Sequence, residues 1–410
     1  MLKKIRLTNF KSFLDEEVEL APLTFLVGAN ASGKSNFLDA IRFLQGLSRN
    51  LTLSEILNGE ERVGADRWPG IRGRAEEAAR FGTSAFSIET TWLAPALEIA
   101  PDGILRGVPN RVETRHRLAC SLHQPAVLEE KVNWGPAGKL WLSASPHGQD
   151  KVRVQTSDRR SRTFSNQKSL VSDPVTRLAL TSASDAQDFE ALEDLNQVFS
   201  AIRFLEIQPS AMRNYGRRGA PLGNEGKNLS GVLATLSDEP TTKQSFVAWL
   251  REVCAPEIED LDFAGVKELG DVMAIFVEKK GARISARSIS DGTLRFLGTL
   301  LALQTAEAGE VLLIEEIEEG LHPTRIHFLL ELLESAVRHR NIQVIATTHS
   351  PVVLQWLAPE RLREILVFGR IPGRPGSLIR QLGEIHYFDE VIQRESIDEL
   401  FSTGWLEMAL

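Results

Sequence analysis

A glycine-rich loop between a strand and a helix is the feature that most constrains the fold. Residues 23–27 are almost wholly apolar, as a buried parallel strand should be. The next eight residues, Gly28-Ala-Asn-Ala-Ser-Gly-Lys-Ser35, fit G-x-x-x-x-G-K-[ST] at every fixed position. Apolar residues then recur at helical spacing from Phe37 to Leu44. This context predicts a loop whose backbone N–H groups, together with the helix N-terminus, hold phosphate groups.

The loop therefore predicts binding of ATP and Mg²⁺. Lys34 is expected to reach the terminal phosphates and assist catalysis, and the Ser35 hydroxyl to bind Mg²⁺. The alternative is a glycine turn that merely connects the strand to the helix. The residues predicted to bind the nucleotide here are Gly28, Asn30, Ala31, Ser32, Gly33, Lys34, Ser35 and Asn36.

A second strand, residues 311–314, ends in two carboxylates, Glu315 and Glu316. An apolar strand that ends in acidic residues is typical of a Mg²⁺-phosphate site. Glu315 is predicted to hold Mg²⁺ through its water shell, and Glu316 to orient or deprotonate the attacking water. The alternative is a solvated turn that happens to carry two acids.

Two further polar groups follow the same logic. His349 comes directly after the apolar residues 342–346 and is predicted to sense a γ-phosphate oxygen, although a lone histidine can equally be structural. Ser290 and Gly292 open the helix before the acidic strand, where free N–H groups can bind an anion. The simpler interpretation is a helix N-cap formed by Ser290 or Asp291.

Strands that alternate with helices predict an α/β fold, a P-loop NTPase head with a mixed or parallel sheet flanked by helices. We expect a first lobe at 1–155 that ends in an antiparallel β-rich subdomain, a helical insertion or lid at 156–257, and a second lobe at 258–410. Residues 51–80, rich in Gly, Arg and Glu, are predicted to form a surface excursion.

Composition narrows the class of protein without naming a partner. Hydrophobic residues make up 42% and charged residues 25%, which is typical of globular proteins, and no apolar stretch is long enough to cross a membrane. We therefore expect a cytoplasmic protein with no membrane partner. The net charge of −8 neither identifies nor excludes DNA, and the arginine clusters near 159–162 and 213–218 fit a DNA path, solvated loops or contacts to a partner. Cys120 and Cys254 are interpreted as ordinary buried thiols.

These elements, in this order, resemble the ATP-binding-cassette ATPases, and more narrowly the SMC, RecF and OLD-like "AAA family" ATPases. The resemblance rests on Ile5-Arg-Leu-Thr-Asn-Phe-Lys-Ser-Phe13, the P-loop helix, Ser290-Asp-Gly-Thr293, Glu315-Glu-Ile-Glu-Glu-Gly-Leu-His-Pro323 and Thr348-His-Ser350. It implies a homodimer that holds two ATP molecules, in which Ser290 and Gly292 of one protomer contact the γ-phosphate bound by the other. It also implies that Gln208 is the Q-loop glutamine that senses Mg²⁺.

The chain departs from that family pattern in two motif positions. Glu315 stands where an Asp is usual, and Asp291 where a Gly is common. There is also no long coiled coil and no recognisable Toprim nuclease in this sequence. The resemblance thus implies an ATPase that acts on DNA or controls a separately encoded effector or nuclease, in phage defence or DNA repair. Two alternatives remain, a transporter-type ATPase subunit and a nucleotide-binding scaffold with negligible turnover.

Overall fold

The computed structural model describes residues 1–60, 68–99, 105–134, 140–157, 159–181, 186–253, 257–266 and 270–410. The strands are β1 (Leu2–Thr8), β2 (Asp15–Glu19), β3 (Leu23–Gly28), β4 (Ala85–Ile99), β5 (Leu105–Ser121), β6 (Ala126–Trp134), β7 (Leu140–Pro146), β8 (Lys151–Thr156), β9 (Ser161–Ser165), β10 (Ile202–Leu205), β11 (Gly216–Arg217), β12 (Ile258–Val266), β13 (Asp271–Glu278), β14 (Arg283–Ser285), β15 (Val311–Ile314), β16 (Gln343–Thr347), β17 (Leu366–Gly369) and β18 (Leu378–Gln381). The helices are α1 (Lys34–Leu47), α2 (Leu53–Asn58), α3 (Pro174–Thr181), α4 (Ala186–Ser200), α5 (Pro209–Met212), α6 (Leu229–Leu236), α7 (Pro240–Val253), α8 (Asp291–Thr305), α9 (Ile326–Arg340), α10 (Pro351–Gln355), α11 (Pro359–Arg363), α12 (Phe388–Val391), α13 (Ile397–Ser402) and α14 (Trp405–Met408).

The central sheet has the strand order β10-β15-β16-β3-β17-β18 among the described residues. Its neighbouring strands pair in parallel, except that β18 runs antiparallel to β17. Every residue of β3 is buried, and so is every residue of β15 and β16. Buried parallel strands need apolar side chains on both faces, which is why these segments read as continuous apolar runs.

The core lies in two layers, one on each face of the central sheet. Phe25 and Val27 point into the layer that contains α8 and α9, whereas Leu26 points into the layer that contains α1. The same alternation separates Leu312 from Leu313 on β15. Because successive strand residues face opposite sides, both layers are packed against the same short strands. Apolar side chains therefore cover both faces of the central sheet.

An antiparallel sheet with the order β2-β1-β4-β5-β6-β7-β8-β9 covers the α1 side of the described structure. A smaller sheet is formed by β11 to β14, in which β13 pairs with β11, β12 and β14. The predicted fold class, a P-loop α/β head with a β-rich part and helical additions, is confirmed. No helix in the described part of the chain has the length and apolar character needed to cross a membrane.

The domain boundaries chosen from the sequence stay a prediction. The antiparallel sheet continues past the boundary expected at 155, because β9 pairs with β8. Within the region expected to be a helical lid, 156–257, β10 is an edge strand of the central sheet. Cys120 is buried as expected, and Cys254 lies outside the described residues.

The prediction of a surface excursion at 51–80 is wrong for its described part. Leu53, Ile56 and Trp68 are buried, and the Trp68 indole N–H donates to the Ile56 carbonyl at 2.9 Å. The helix α2 begins with a capping box: Thr52 Oγ1 accepts from the backbone N–H of Glu55, whose carboxylate accepts from the Thr52 N–H. The helix was not predicted because charged residues and glycines surround its few apolar positions in the sequence.

Candidate functional site

The site lies at the carboxyl edge of the central sheet, where the parallel strands end next to one another. Gly28 ends β3, and the acidic pair at 315–316 follows β15. His349 comes two residues after the end of β16, which lies between β15 and β3. Ligands of open α/β sheets bind at this edge. The fold therefore brings the predicted P-loop, acids and histidine to one place.

Two glycines shape the phosphate loop. Gly28 has φ +148°, and a Cβ there would lie 2.2 Å from the Phe368 carbonyl oxygen of the adjacent strand. Gly33 has φ +120°, and a Cβ there would lie 2.8 Å from Ser377 Oγ. Any side chain would thus push the loop away from β17 and β18. The absence of a Cβ at these positions leaves a close-packed backbone cradle of the kind that surrounds phosphates.

Lys34 lies inside this cradle. Its Nζ donates to the carbonyl oxygens of Gly28 at 2.6 Å and Ala29 at 3.0 Å. Burial lowers the pKa of Lys34, and the nearby carboxylates of Glu407 and Glu316 oppose that shift. A buried ammonium group with neutral partners would gain from an anion. This environment fits a bound phosphate group.

The other loop residues divide into buried and exposed groups. Ser32 Oγ is buried and has no hydrogen-bond partner in the described structure. A bound ligand could supply the missing partner. Asn30, Ala31 and Ser35 are exposed, and Ala31 has φ +62°. Because Gly33 is the N-cap of α1, no side chain occupies the N–H groups of its first turn. The residues present therefore fit a nucleotide phosphate chain.

Asn36 is placed differently from the rest of the predicted loop. Its Nδ2 donates to Ser12 Oγ at 2.8 Å, and Ser12 Oγ also accepts from Ser377 Oγ at 2.9 Å. These contacts tie the first turn of α1 to the loops after β1 and before β18. Asn36 therefore braces the phosphate loop in this structure, and its predicted contact with nucleotide stays a prediction.

The two acids leave β15 in different conformations. Glu315 is half exposed, and its Oε1 lies 4.0 Å from Arg72 Nη2. Glu316 has φ +47°, a left-handed conformation that is rare for a non-glycine residue. Its N–H donates to Thr347 Oγ1 at 2.9 Å, which fixes this strained backbone to the end of β16. The predicted roles of Glu315 with Mg²⁺ and Glu316 with water stay predictions.

His349 is exposed at the end of β16, and its backbone is tied to the segment after the acids. The His349 N–H donates to Glu318 Oε1 at 2.9 Å. The other carboxylate oxygen, Glu318 Oε2, is buried without a hydrogen-bond partner in the described residues. This hydrogen bond links the backbone at His349 to the segment that follows the acids. The phosphate-sensing role of His349 is untested.

Ser290 caps α8, as the simpler interpretation predicted. Its Oγ accepts from the Thr293 N–H at 3.2 Å, and Ser290 itself is exposed. Gly292 packs on the same chain: a Cβ there would lie 2.1 Å from the Gly320 carbonyl oxygen. The start of α8 and the loop after the acids therefore form one close-packed unit. The predicted contact of Ser290 and Gly292 with a nucleotide stays open.

Arg213 holds the loop before α8. Its guanidinium pairs with the Asp291 carboxylate and donates to the carbonyl oxygens of Arg287 at 2.9 Å and Ile289 at 2.8 Å. Arg218 donates to Asp238 at 2.9 Å. Both arginines therefore contact their own chain while they stay partly exposed, and the interpretations of this cluster as a DNA path or a solvated loop stay predictions.

Gln208 lies at the same edge of the sheet as the acids. It follows β10, whose Leu205 pairs with Ile314 of β15. The side chain is exposed, and the backbone N–H donates to the Glu225 carbonyl at 3.0 Å. The position is compatible with the predicted Mg²⁺-sensing role, which stays a prediction.

The structure adds three residues that the sequence-based prediction of the site missed. The Asp39 carboxylate on α1 is buried and pairs with both Lys11 and Arg72. Arg72 also donates through Nη2 to the Ser35 carbonyl at 3.1 Å, and Lys11 Nζ donates to the Arg72 carbonyl at 2.7 Å. Asp39 on the P-loop helix was a possible signal, because an acid among buried helix positions needs partners.

Two family models match this chain. Residues 137–355 match the family described as "AAA domain, putative AbiEii toxin, Type IV TA system", and residues 1–70 match the family described as "AAA ATPase domain". The first model covers more than half of the chain. The chain belongs to this AAA-domain family. The identification made from the sequence motifs is thereby confirmed, and this AAA domain has the site geometry described above.

The proteins similar to this AAA domain include a RecF protein and two SMC head domains. A segment of 52 residues is 50% identical to the "DNA replication and repair protein RecF" of Synechocystis sp. and spans 12% of this chain and 14% of that protein. The SMC head domain from Thermotoga maritima has a TM-score of 0.40 at 13% identity, over 93% of this chain and 98% of that chain. An Smc head with an extended coiled coil from Pyrococcus furiosus has a TM-score of 0.42 at 12% identity, over 96% of this chain and 99% of that chain.

Proposed function

We propose that this AAA-domain protein binds ATP with Mg²⁺ and hydrolyses it in a homodimer. The observation that carries the proposal is the meeting of Lys34, Glu316 and His349 at one edge of the central sheet, beside a cradle that already fits phosphates. Membership of the AAA-domain family supports the nucleotide as the ligand. Each group comes from a different loop, so a ligand bound at this edge would contact three loops at once.

The P-loop residues would hold the phosphates, while Ser35, Glu315 and Gln208 would hold Mg²⁺. When bound, the Mg²⁺ ion would neutralise part of the negative charge of the phosphates. Ser35 is exposed at the N-terminus of α1, and Glu315 is half exposed at the end of β15, so both are open to a ligand. The orphaned Ser32 hydroxyl is a further donor to the phosphate chain.

Glu316 and His349 are the groups proposed to act on the reacting atoms. The strained backbone of Glu316 is held by Thr347 at the end of β16, and the charge of its carboxylate opposes the lowering of the Lys34 pKa by burial, which supports a position near the P-loop. A carboxylate so placed can accept a proton from an attacking water. The imidazole of His349, on the neighbouring strand end, would then hydrogen-bond a γ-phosphate oxygen.

The homodimer is proposed because the family resemblance implies that Ser290 and Gly292 contact the nucleotide bound by a second copy of the chain. Ser290 is exposed at the N-terminus of α8, a helix end that attracts anions. Gly292 and Gly320 pack together, so α8 and the loop after the acids can face a partner as one surface. Two copies would then enclose two ATP molecules, each between a P-loop and the other copy's α8.

The biological target is proposed from the functions for which the matching family and the similar protein are named. One family description names a toxin of a toxin–antitoxin system, and the partial relative is a replication and repair protein. We propose that the ATP-driven dimer acts on DNA or controls a separately encoded effector, in phage defence or DNA repair.

The test uses Glu316→Gln with Glu331→Gln as a matched control, because Glu331 is an exposed residue of α9. We expect Glu316→Gln to lose at least about 100-fold in ATP hydrolysis while it keeps ATP binding. Its mass in solution should double when ATP and Mg²⁺ are added. A mass that ATP does not change would contradict the dimer, and binding without turnover in the unmodified protein would favour the scaffold.

The same variant can identify what the protein acts on. Material purified with and without ATP should differ in the DNA or protein that accompanies the closed dimer. A membrane protein recovered in both samples would instead favour the transporter-type subunit.

A further inference from the structure

A cavity lies on the α8 side of the central sheet, away from the edge that carries the P-loop. Its volume is about 450 Å³, which is large enough for a small organic molecule. Arg203 of β10 lines it, and so does Glu310, the residue directly before β15. Glu310 is thus at the opposite end of β15 from the acidic pair at 315–316. The cavity is therefore separate from the proposed nucleotide site.

Apolar side chains form the wall that comes from α6 and the segment before it. Leu222 and Val232 line the cavity, are both buried, and belong to the core layer that contains α8. Leu236, the last residue of α6, is partly buried and lines the cavity beside them. Burial of an apolar group against these side chains is favourable because it removes apolar surface from water. This wall fits the apolar part of a ligand.

Arg203 brings hydrogen-bond donors to the same cavity. Its neighbours Ile202 and Phe204 point into the α1 layer, so Arg203 faces the opposite layer, where the cavity lies. Its Nη1 donates to Glu310 Oε2 at 3.2 Å, and its Nη2 donates to the Leu222 carbonyl at 3.4 Å. A guanidinium group has five N–H donors, so the remaining ones have no acceptor among the described residues. Arginine N–H groups of this kind match the paired oxygens of a carboxylate.

Two carboxylates line the cavity beside this guanidinium. Burial raises the pKa of Glu310 and the charge of Arg203 opposes that shift, while the nearby negative charge of Glu307 adds to it. Glu307 is exposed and has no ion pair with any described residue. The lining thus carries one positive and two negative side chains. An ammonium group of a ligand would be attracted to the excess negative charge.

We propose that this cavity binds a free apolar amino acid as its zwitterion. The ligand carboxylate accepts from the N–H groups of Arg203, its ammonium group lies beside Glu307, and its side chain packs on Leu222 and Val232. A simple amine would leave the arginine donors without an acceptor, and a simple carboxylate would meet two glutamates without a balancing charge. The zwitterion satisfies both sets of groups. This binding site goes beyond the proposed function, because it requires no nucleotide.

The first experiment titrates the full chain, without nucleotide, with leucine and with phenylalanine at pH 7 by calorimetry. We expect a dissociation constant below about 1 mM for the tighter of the two. Glycine, isocaproate and isoamylamine each lack one of the three ligand parts, so each should bind at least about tenfold more weakly. The proposal is overturned if neither amino acid binds, or if any of the three comparison compounds binds equally well.

The second experiment tests the location with two variants. Glu307→Gln removes an exposed charge and should weaken binding of the amino acid at least about fivefold without weakening binding of isocaproate. Leu236→Trp should fill the cavity and abolish amino-acid binding. Glu331→Gln, at an exposed glutamate of α9, is the control and should leave the dissociation constant unchanged.

Thermal unfolding without ligand shows whether each variant is folded. Because Glu307 is exposed and makes no ion pair with the described residues, Glu307→Gln should keep the melting temperature of the wild type and so remains informative if Leu236→Trp is unstable. Amino-acid binding that Glu307→Gln leaves unchanged, or that a folded Leu236→Trp retains, places the ligand elsewhere and overturns the proposal.

Discussion

The Nη2 atom of Arg72 lies 4.0 Å from Oε1 of Glu315, and the same guanidinium donates to the Ser35 carbonyl and to Asp39. One side chain thus joins the end of β15 to the first turn of the P-loop helix. Both partners of the 4.0 Å pair are about half exposed, and exposed ion pairs contribute little to stability. The role of Arg72 is therefore to fix the positions of these two loops relative to each other, rather than to stabilise the fold.

Arg72→Gln should impair the site without unfolding the protein. Asp39 keeps its ion pair with Lys11, so the P-loop helix retains a partner for this buried acid. We expect ATP hydrolysis to fall by at least about tenfold through loss of a positioned charge, with a small change in melting temperature. Steady-state kinetics and thermal unfolding provide the measurements. Arg74→Gln, at an exposed arginine two residues further on, is the control; an equal loss in both variants would contradict the positional role of Arg72.

Gly292→Ala should separate two loops that touch. The new Cβ would lie 2.1 Å from the Gly320 carbonyl oxygen, so the backbone has to move, at a cost of about 1–3 kcal/mol. We expect ATP-dependent dimerisation and hydrolysis to be lost while the monomer still binds ATP. Light scattering and a binding titration measure the two properties. In Gly265→Ala, where the nearest atom to the new Cβ is 4.0 Å away, both should remain, and wild-type hydrolysis by Gly292→Ala would exclude this role of the contact.

The central strands and the loops after them were predictable because their signals are local. An apolar run such as residues 23–27 must be buried on both faces, and Lys34, Glu315 and His349 each follow such a run within seven residues. Parallel strands then place their carboxyl ends together without any further information. The fold class followed from this pattern, and the arrangement of the predicted residues at one edge followed from the fold class.

Contacts made across the fold were not predictable from the sequence. Arg72 lies in a segment rich in charges and glycine, and only the tertiary structure shows that its guanidinium meets Asp39 and Ser35. Glu407 is one of many glutamates, and only the tertiary structure shows that it lies against Gly369 at the end of β17. Periodicity reports which face of an element is buried, not which distant element covers it.

A buried carboxylate holds the antiparallel sheet to the segment that follows it. Glu130 is fully buried and accepts from Ser169 Oγ at 2.6 Å and from the Leu170 N–H at 2.7 Å, and it hydrogen-bonds His116 Nε2 at 2.9 Å. Glu130→Leu would leave these polar groups unpaired in the interior, so we expect a loss of about 3 kcal/mol in the free energy of unfolding.

Urea unfolding of Glu130→Leu measures this loss through the transition midpoint at constant slope. Glu129→Leu is the matched control, because the neighbouring glutamate is partly exposed and pairs with Lys131 at the surface. The control should change stability by less than about 1 kcal/mol. Equal losses for the two variants would show that the buried hydrogen bonds of Glu130 do not govern the stability of this sheet.

Cys120 should be inert in the folded protein. Burial raises the pKa of its thiol from 9.0 to about 12, so the reactive thiolate is scarce at pH 8. The folded pKa lies above the unfolded one, so this thiol contributes stability below pH 9 that is lost as the pH rises toward 12. In Cys254→Ser, which leaves Cys120 as the single cysteine, a thiol-disulfide reagent should react at least about 1,000-fold faster in urea than in buffer at pH 8. Comparable rates followed by absorbance would mean that Cys120 is accessible in the native state.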